Sequence, residues 1–143
     1  MPSRLPVKEN HLMSPNLSLV HEYLKAVEGM ATGEALSRFY TPDAEQTEWP
    51  NKVTPNGASR SVREVLEAAE RGKQVMQRQE FKVARSYEVD GVVIVEAIWT
   101  GYVAVAFGSL AVGDPMRARF AMFFTFQNGR IYRQWNYDCF EPF

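Results

Sequence analysis

The apolar positions of this chain change period once. As far as about residue 76 they recur at helical spacing, and from Gln79 onward they alternate with polar residues. Ser14-Pro15 opens the first helical segment, with Ser as the capping residue and Pro at the first helical position, and Val20, Tyr23, Leu24 and Val27 form its apolar stripe. Glu34 to Tyr40 reads as a short second helix whose Leu36, Phe39 and Tyr40 close one end of a core. Thr41-Pro42-Asp43 is a turn signal, "AEQTEWP" a short strand ended by Pro50, and Pro55, Asn56 and Gly57 mark a loop. Ser61 followed by Glu64 is a capping box, and Val62, Val65, Leu66 and Ala69 give a third helix its buried stripe to about Met76. Helices first and a meander of long strands after them predict an α+β fold, with about three helices on one face of an antiparallel sheet. Residues 1–13, with two prolines and little periodicity, read as a flexible arm before a single domain over 14–143.

Asp90-Gly91 and Asn128-Gly129 are dipeptides that favour two-residue turns with positive φ at both positions, and such turns fix the pairing behind them. In the first hairpin Val89 then faces Val92, Tyr87 faces Ile94, and Arg85 faces Glu96. The same extrapolation in the second pairs Gln127 with Arg130, Phe123 with Gln134, Ala121 with Asn136, and Arg119 with Asp138. Gln134, Asn136 and Asp138 share one face of the last strand. The opposite face would carry Phe120, Met122, Phe124 and Phe126 against Ile131, Arg133, Trp135 and Tyr137. With both faces apolar, one is expected to cover the helices and the other a second subunit.

Composition narrows the function classes. The 143 residues carry 16 Lys+Arg against 17 Asp+Glu, and no basic cluster interleaved with aromatics, so a nucleic-acid partner is not expected. The uncharged run from Ala97 to Gly113 contains three glycines and is too short for a spanning helix, which argues against a membrane partner. The start of the chain lacks an apolar signal segment, and a cytoplasmic location is expected. One cysteine, Cys139, and two histidines, His11 and His21, offer neither a disulfide nor zinc-ligand spacing, so no metal site is expected.

Helix-helix-strand-helix followed by a curved meander ending on "GRIYRQWNYDCF" resembles the nuclear transport factor 2-like superfamily, and within it the SnoaL-like polyketide cyclases and ketosteroid isomerase-like proteins. The resemblance spans roughly residues 16–141. It implies a cone whose concave face and helices enclose an apolar pocket, and a convex face that makes a homodimer. "LVHEY" matches the first-helix pattern of ketosteroid isomerase and puts Tyr23 at its oxyanion-donor position, while "TEWP" puts Trp49, with Glu48 beside it, where the base lies. The position of that enzyme's second acid falls on Phe123. Arg133-Gln134-Trp135-Asn136 stands where SnoaL-like cyclases often carry Glu-His-Trp-Asp, so the imidazole and its carboxylate are replaced by amides.

Tyr23, Glu48 and Asp138 are therefore the candidate catalytic residues. Trp49, Trp99, Arg119, Phe123, Gln134 and Asn136 are the candidate ligand-binding residues, in a pocket that Val95 and Ala97 also line. Two functions remain open. One is a cofactor-independent isomerase, cyclase or hydratase moving a proton on a small hydrophobic carbonyl compound, with Glu48 or Asp138 as base. The other is a non-catalytic module that binds a hydrophobic ligand or dimerises. Asp138 with Arg119 reads equally as a structural ion pair, and Arg85 with Glu96 as an interface or structural pair unless its face proves concave.

Overall fold

The computed structural model describes residues 13–143, so the arm expected before residue 14 lies, but for Met13, outside the described residues. Helix α1 (Pro15–Glu28) starts where Ser14 Oγ accepts from the Leu17 amide at 3.1 Å. A four-residue helix α2 (Glu34–Ser37) leads into strand β1 (Tyr40–Glu48), then β2 (Ala58–Ser61) and helix α3 (Val62–Val75). The Ser61/Glu64 capping box forms in full. Four long strands follow: β3 (Met76–Val89), β4 (Val92–Val103), β5 (Pro115–Gln127) and β6 (Arg130–Phe140). The six strands make one curved, unclosed sheet in the order β2-β1-β6-β5-β4-β3. All neighbours are antiparallel except β1 and β6, which run parallel, so the sheet is mixed where the meander pattern alone predicts an antiparallel one. The short β2 was hidden because "ASRS" has no apolar alternation, and Tyr40 begins β1 instead of ending α2.

The core lies between the helices and the concave face. Val20, Tyr23 and Leu24 of α1, Leu36, Phe39 and Val65 meet Val93, Val95 and Ala97 of β4, Met122 and Phe124 of β5, and Ile131 of β6. Polar ties set how α1 crosses β3. Glu28 Oε1 accepts from the Phe81 amide at 2.6 Å, Asn16 Nδ2 donates to Glu88 at 3.2 Å, and His21 Nε2 lies 3.0 Å from Ser86 Oγ.

Both two-residue turns form, with φ of 51° and 76° at Asp90 and Gly91 and 52° and 74° at Asn128 and Gly129. The registers they impose last only as far as the first bulge. Beyond the first turn, Arg85 faces Glu96 as expected, with Arg85 Nε 3.0 Å from Glu96 on the exposed face. Ala84 then has no opposite number, and Val83 pairs with Ala97. Beyond the second turn, Phe126 pairs with Ile131 but Thr125 pairs with Arg133, leaving Tyr132 as the extra residue. A bulge of this kind keeps the side chains on its two sides facing the same way. Ile131 and Gln134 consequently both point inward, although they are three residues apart.

That bulge corrects three expected pairs. Phe124 faces Gln134, Met122 faces Asn136 and Phe120 faces Asp138, while Arg119 faces Cys139 and Phe123 faces Trp135. Phe124 and Met122 are therefore buried against the helices instead of forming a convex row, and no Arg119–Asp138 ion pair exists. The convex face carries Phe123, Trp135 and Tyr137 along with Tyr87 and Val89.

Candidate functional site

Between the helices and the concave face lies a cavity of about 310 Å³, near the lower end of the range for small-molecule sites. One wall is apolar, built by Val27 in the last turn of α1, by Met30 and Ala31 just after it, and by Val65, Ala68 and Ala69 on α3. The polar groups gather where β1, β2 and β6 lie side by side: Gln46, Glu48, Arg60 and Asn136.

Gln134 organises this end without lining it. Its side chain is 1% exposed and all its hydrogen-bonding capacity is used. Oε1 accepts from Tyr40 at 2.7 Å and from Gln46 at 3.4 Å, and Nε2 donates to Tyr23 at 3.2 Å and to Asn136 Oδ1 at 3.1 Å. Tyr40 has one proton and lies near two acceptors, and the shorter bond, to Gln134, takes it. The Tyr23 hydroxyl, 3.0 Å from Tyr40, then keeps its own proton to donate, and it lines the cavity. Burial raises the pKa of both phenols, so each stays a protonated donor in the neutral range. Asn136, with Oδ1 engaged by Gln134, is left with its Nδ2 donors for the cavity.

The two carboxyls of this end are driven in opposite directions. Burial disfavours charge on Glu48, but hydrogen bonds from Asn51, Thr54 and Arg60 and the Arg60 charge outweigh it and hold its pKa below the usual value. Arg60 Nη1 lies 2.9 Å from Glu48 Oε1, with both side chains largely buried. Asp138 sits on the cavity face of β6 between Asn136 and Phe140, its Oδ1 buried and without a hydrogen-bond partner. Burial, and then the Glu48 carboxylate, push its pKa up to about 7, with Arg60 opposing. Neighbouring carboxyls with separated pKa values divide the labour of acid–base chemistry: one stays charged and the other trades a proton near neutrality. Replacing Arg60 with Gln removes the opposing charge, so the Asp138 titration is expected to move above about 7. A pH titration of its carboxyl carbon by NMR checks this, and an unmoved or lowered midpoint would contradict it.

The expected site residues fall into two groups. Tyr23, Glu48, Trp99 and Asn136 line the cavity, Asp138 shares their face, and Val95 and Ala97 are buried on the same surface. Trp99 stacks on Phe120 at 5.6 Å and donates through Nε1 to Gln79 Oε1 at 2.8 Å. The others lie elsewhere. Trp49 is 43% exposed and packs on Tyr137 of the convex face, since it continues β1 one residue past Glu48 and so points the other way. Phe123 and Arg119 lie on the outer face of β5, because the Tyr132 bulge in β6 sets Gln134, Asn136 and Asp138 opposite Phe124, Met122 and Phe120, and Gln134 lies beneath the lining. Sequence reasoning missed Tyr40, Gln46, Gln79 and Arg60. Gln46 stands one strand period before Glu48, a usable signal, whereas nothing in "ASRS" marks Arg60 as inward-facing. Among the described residues no group of three or more His, Cys, Asp or Glu side chains is arranged to hold a metal ion, and no helix is long and apolar enough to cross a membrane.

Comparison with solved structures places this geometry in a known fold. AclR of Streptomyces galilaeus, described as a candidate hydroxylase, superposes with a TM-score of 0.74 at 14% identity, over 92% of this chain and 83% of that one. IdmH of Streptomyces antibioticus, a candidate polyketide cyclase, gives 0.71 at 17% identity, over 88% and 92%. A protein with a ketosteroid isomerase-like fold from Catenulispora acidiphila gives 0.68 at 16% identity, over 83% of each chain. No curated protein sequence matches significantly. The family described as the SnoaL-like domain matches residues 20–134, from the core face of α1 to the buried Gln134 of β6. With most of its length matched and the sheet and helices in the same arrangement, the chain belongs to the SnoaL-like domain family.

Proposed function

We propose that the protein catalyses cofactor-independent proton transfer on a small hydrophobic carbonyl compound, in the manner of an isomerase or cyclase, with Asp138 as the proton carrier. The observation that carries this reading is a buried carboxyl, with one oxygen unpartnered, on the same strand face as the Asn136 donor. Asn136 and Asp138 are separated by one strand period, roughly 7 Å, which leaves room for a carbonyl oxygen at one and its α-carbon at the other. Ionised Asp138 takes a proton from that carbon. The Tyr23 hydroxyl and the Asn136 amide donate to the oxygen as negative charge develops on it, and being held by Gln134 they need not reorganise. Returning the proton to another carbon completes an isomerisation, and attack of the enolate carbon on a second carbonyl of the same molecule closes a ring, with the Asp138 proton passing to the new alkoxide oxygen. Glu48, held ionised by Arg60, is not the base but keeps the Asp138 proton affinity high.

Exchange of α-protons for deuterium in D₂O, followed by NMR across a panel of polyketide-like and terpenoid ketones, tests the chemistry without knowledge of the product. The expected result is exchange above background that falls by about 10²-fold or more in Asp138→Asn while ketone affinity is kept. Ketones that bind without enhanced exchange would support the second reading, a non-catalytic carrier, which the extensive apolar wall of the cavity favours.

A homodimer through the convex face belongs to the same proposal. Trp49, Tyr87, Val89 and Tyr137 stand between 43% and 54% exposed there, and Tyr137 packs against both Trp49 and Phe123, so part of this apolar surface is contiguous. Sedimentation is expected to give twice the chain mass, and Tyr137→Lys to give the monomer. A monomeric wild type at micromolar concentration would overturn the dimer.

A further inference from the structure

Beyond the cavity the concave face continues into a second, almost wholly apolar recess of about 230 Å³. The two compartments follow one another along the same strands. On β4, Trp99 belongs to both and Val103 only to the outer one. On β5, Phe120 lines the inner and Met116 the outer. Phe140 of β6 and Met76 at the start of β3 border both. The indole of Trp99 lies across its own strand over Gly101, where a Cβ would come within 2.6 Å of the ring and 2.8 Å of Met76 Sδ. Glycine at this position is what lets the indole and the Met76 thioether meet as a partition. At the outer rim Val53, Val75, Val105 and Phe107 are each 42–45% exposed, so the recess opens to solvent through apolar side chains.

Resting on the proposed function above, we infer that the site is bipartite. The outer recess takes the hydrocarbon tail of the same carbonyl compound whose oxygen reaches Asn136 and Tyr23, and Trp99, Met76 and Gly101 set where the tail passes. Continuity argues for this occupant. The recess shares three walls with the inner cavity and lies on the same sheet face, and Asn136, Asp138 and Phe140 form one row along β6 that joins them. Four residues of strand separate the first of these from the last, roughly 13 Å. A substrate with a polar carbonyl head and an extended apolar tail fits that length, and a compact one fills only the inner part. The head region pairs Arg60 with Glu48 and so offers no uncompensated cation, which favours a neutral head over a carboxylate.

The test uses phenyl ketones of increasing alkyl length, from acetophenone to octanophenone, titrated by calorimetry. Affinity is expected to rise about three- to fourfold per added methylene, the gain from burying each one. Val105→Lys at the rim is expected to remove that gain while leaving acetophenone binding unchanged. Val103→Trp, which fills the recess, gives the same result by a second route, and Gly101→Ala changes the chain length at which the gain sets in. Acetophenone binding that is abolished by Asn136→Leu, with no dependence on tail length, would overturn the bipartite site and leave the proposed function standing. Absence of acetophenone binding would count against the proposed function, and the chain-length slope would still decide the recess. If Val105→Lys instead converts a dimer to a monomer in sedimentation, the recess is covered by a second copy and the inference fails.

Discussion

Asp138→Asn is expected to slow proton transfer by about 10²-fold or more and, at alkaline pH, to stabilise the protein. The folded-state pKa of Asp138 is raised from 3.8 to about 7, so between those values the folded chain binds a proton that the unfolded chain has released. Its contribution is therefore complete below about pH 3.8 and is lost as pH rises through about 7. At about 1.4 kcal/mol per pKa unit, ionising this buried group costs at most about 4 kcal/mol of stability by pH 8. Asparagine never ionises and avoids that cost. Urea denaturation at pH 5 and pH 8 measures it: the difference in stability between variant and wild type should grow by a few kcal/mol in favour of the variant between the two pH values. The change with pH is the diagnostic quantity, because any new contact made by the amide is present at both. A difference that stays constant would mean that Asp138 titrates normally. A residue that weakens the fold in its working protonation state is readily explained by function and poorly by packing.

Gln134→Met is expected to cost about 1–3 kcal/mol, although it keeps the side-chain volume. The amide joins four partners inside a buried network: Tyr40, Gln46, Tyr23 and Asn136. Without it the Tyr40 proton turns to the Tyr23 hydroxyl, 3.0 Å away, while the Asn136 oxygen loses its partner, and an orphaned buried polar group costs about 1–3 kcal/mol. The same change frees Asn136 to turn its oxygen toward the cavity. Ketone affinity should therefore fall even under conditions where the variant is fully folded. Denaturant midpoints and ketone titrations check the two halves separately. A loss below about 1 kcal/mol would show that the network is not what holds this end of the cone.

Local chemistry that acts over a few residues could be read from the sequence, and so could the order of elements. The Ser14-Pro15 start, the Ser61/Glu64 box and both two-residue turns depend on neighbours within one turn of chain, and all four form as read. Alternation alone put Asn136 and Asp138 on one face of the last strand, and the family resemblance supplied the expectation that this face is the concave one. Pairing across the sheet could not be carried as far, because one extra residue changes every partner beyond it. Tyr132 and Ala84 carry no side-chain signature of a bulge, being neither glycine nor proline. Extrapolation past Tyr132 thus gave Asp138 a partner, Arg119, that in fact stands on the other face opposite Cys139. That error concealed the main feature of the site, since a carboxyl assigned to an arginine is not expected to hold a proton near neutrality. Arg60 was unreadable for a different reason. It acts from a four-residue strand whose place beside β1 is set by tertiary pairing, and only there does its charge reach Glu48 and Asp138.

The chemistry proposed for this cavity depends on a proton held at Asp138 under neutral conditions. A pH titration of the ¹³C-labelled Asp138 carboxyl by NMR measures that directly, with Asp138→Asn identifying the resonance. The expected midpoint lies near 7. A midpoint near 4, the ordinary range for an aspartate, would contradict it.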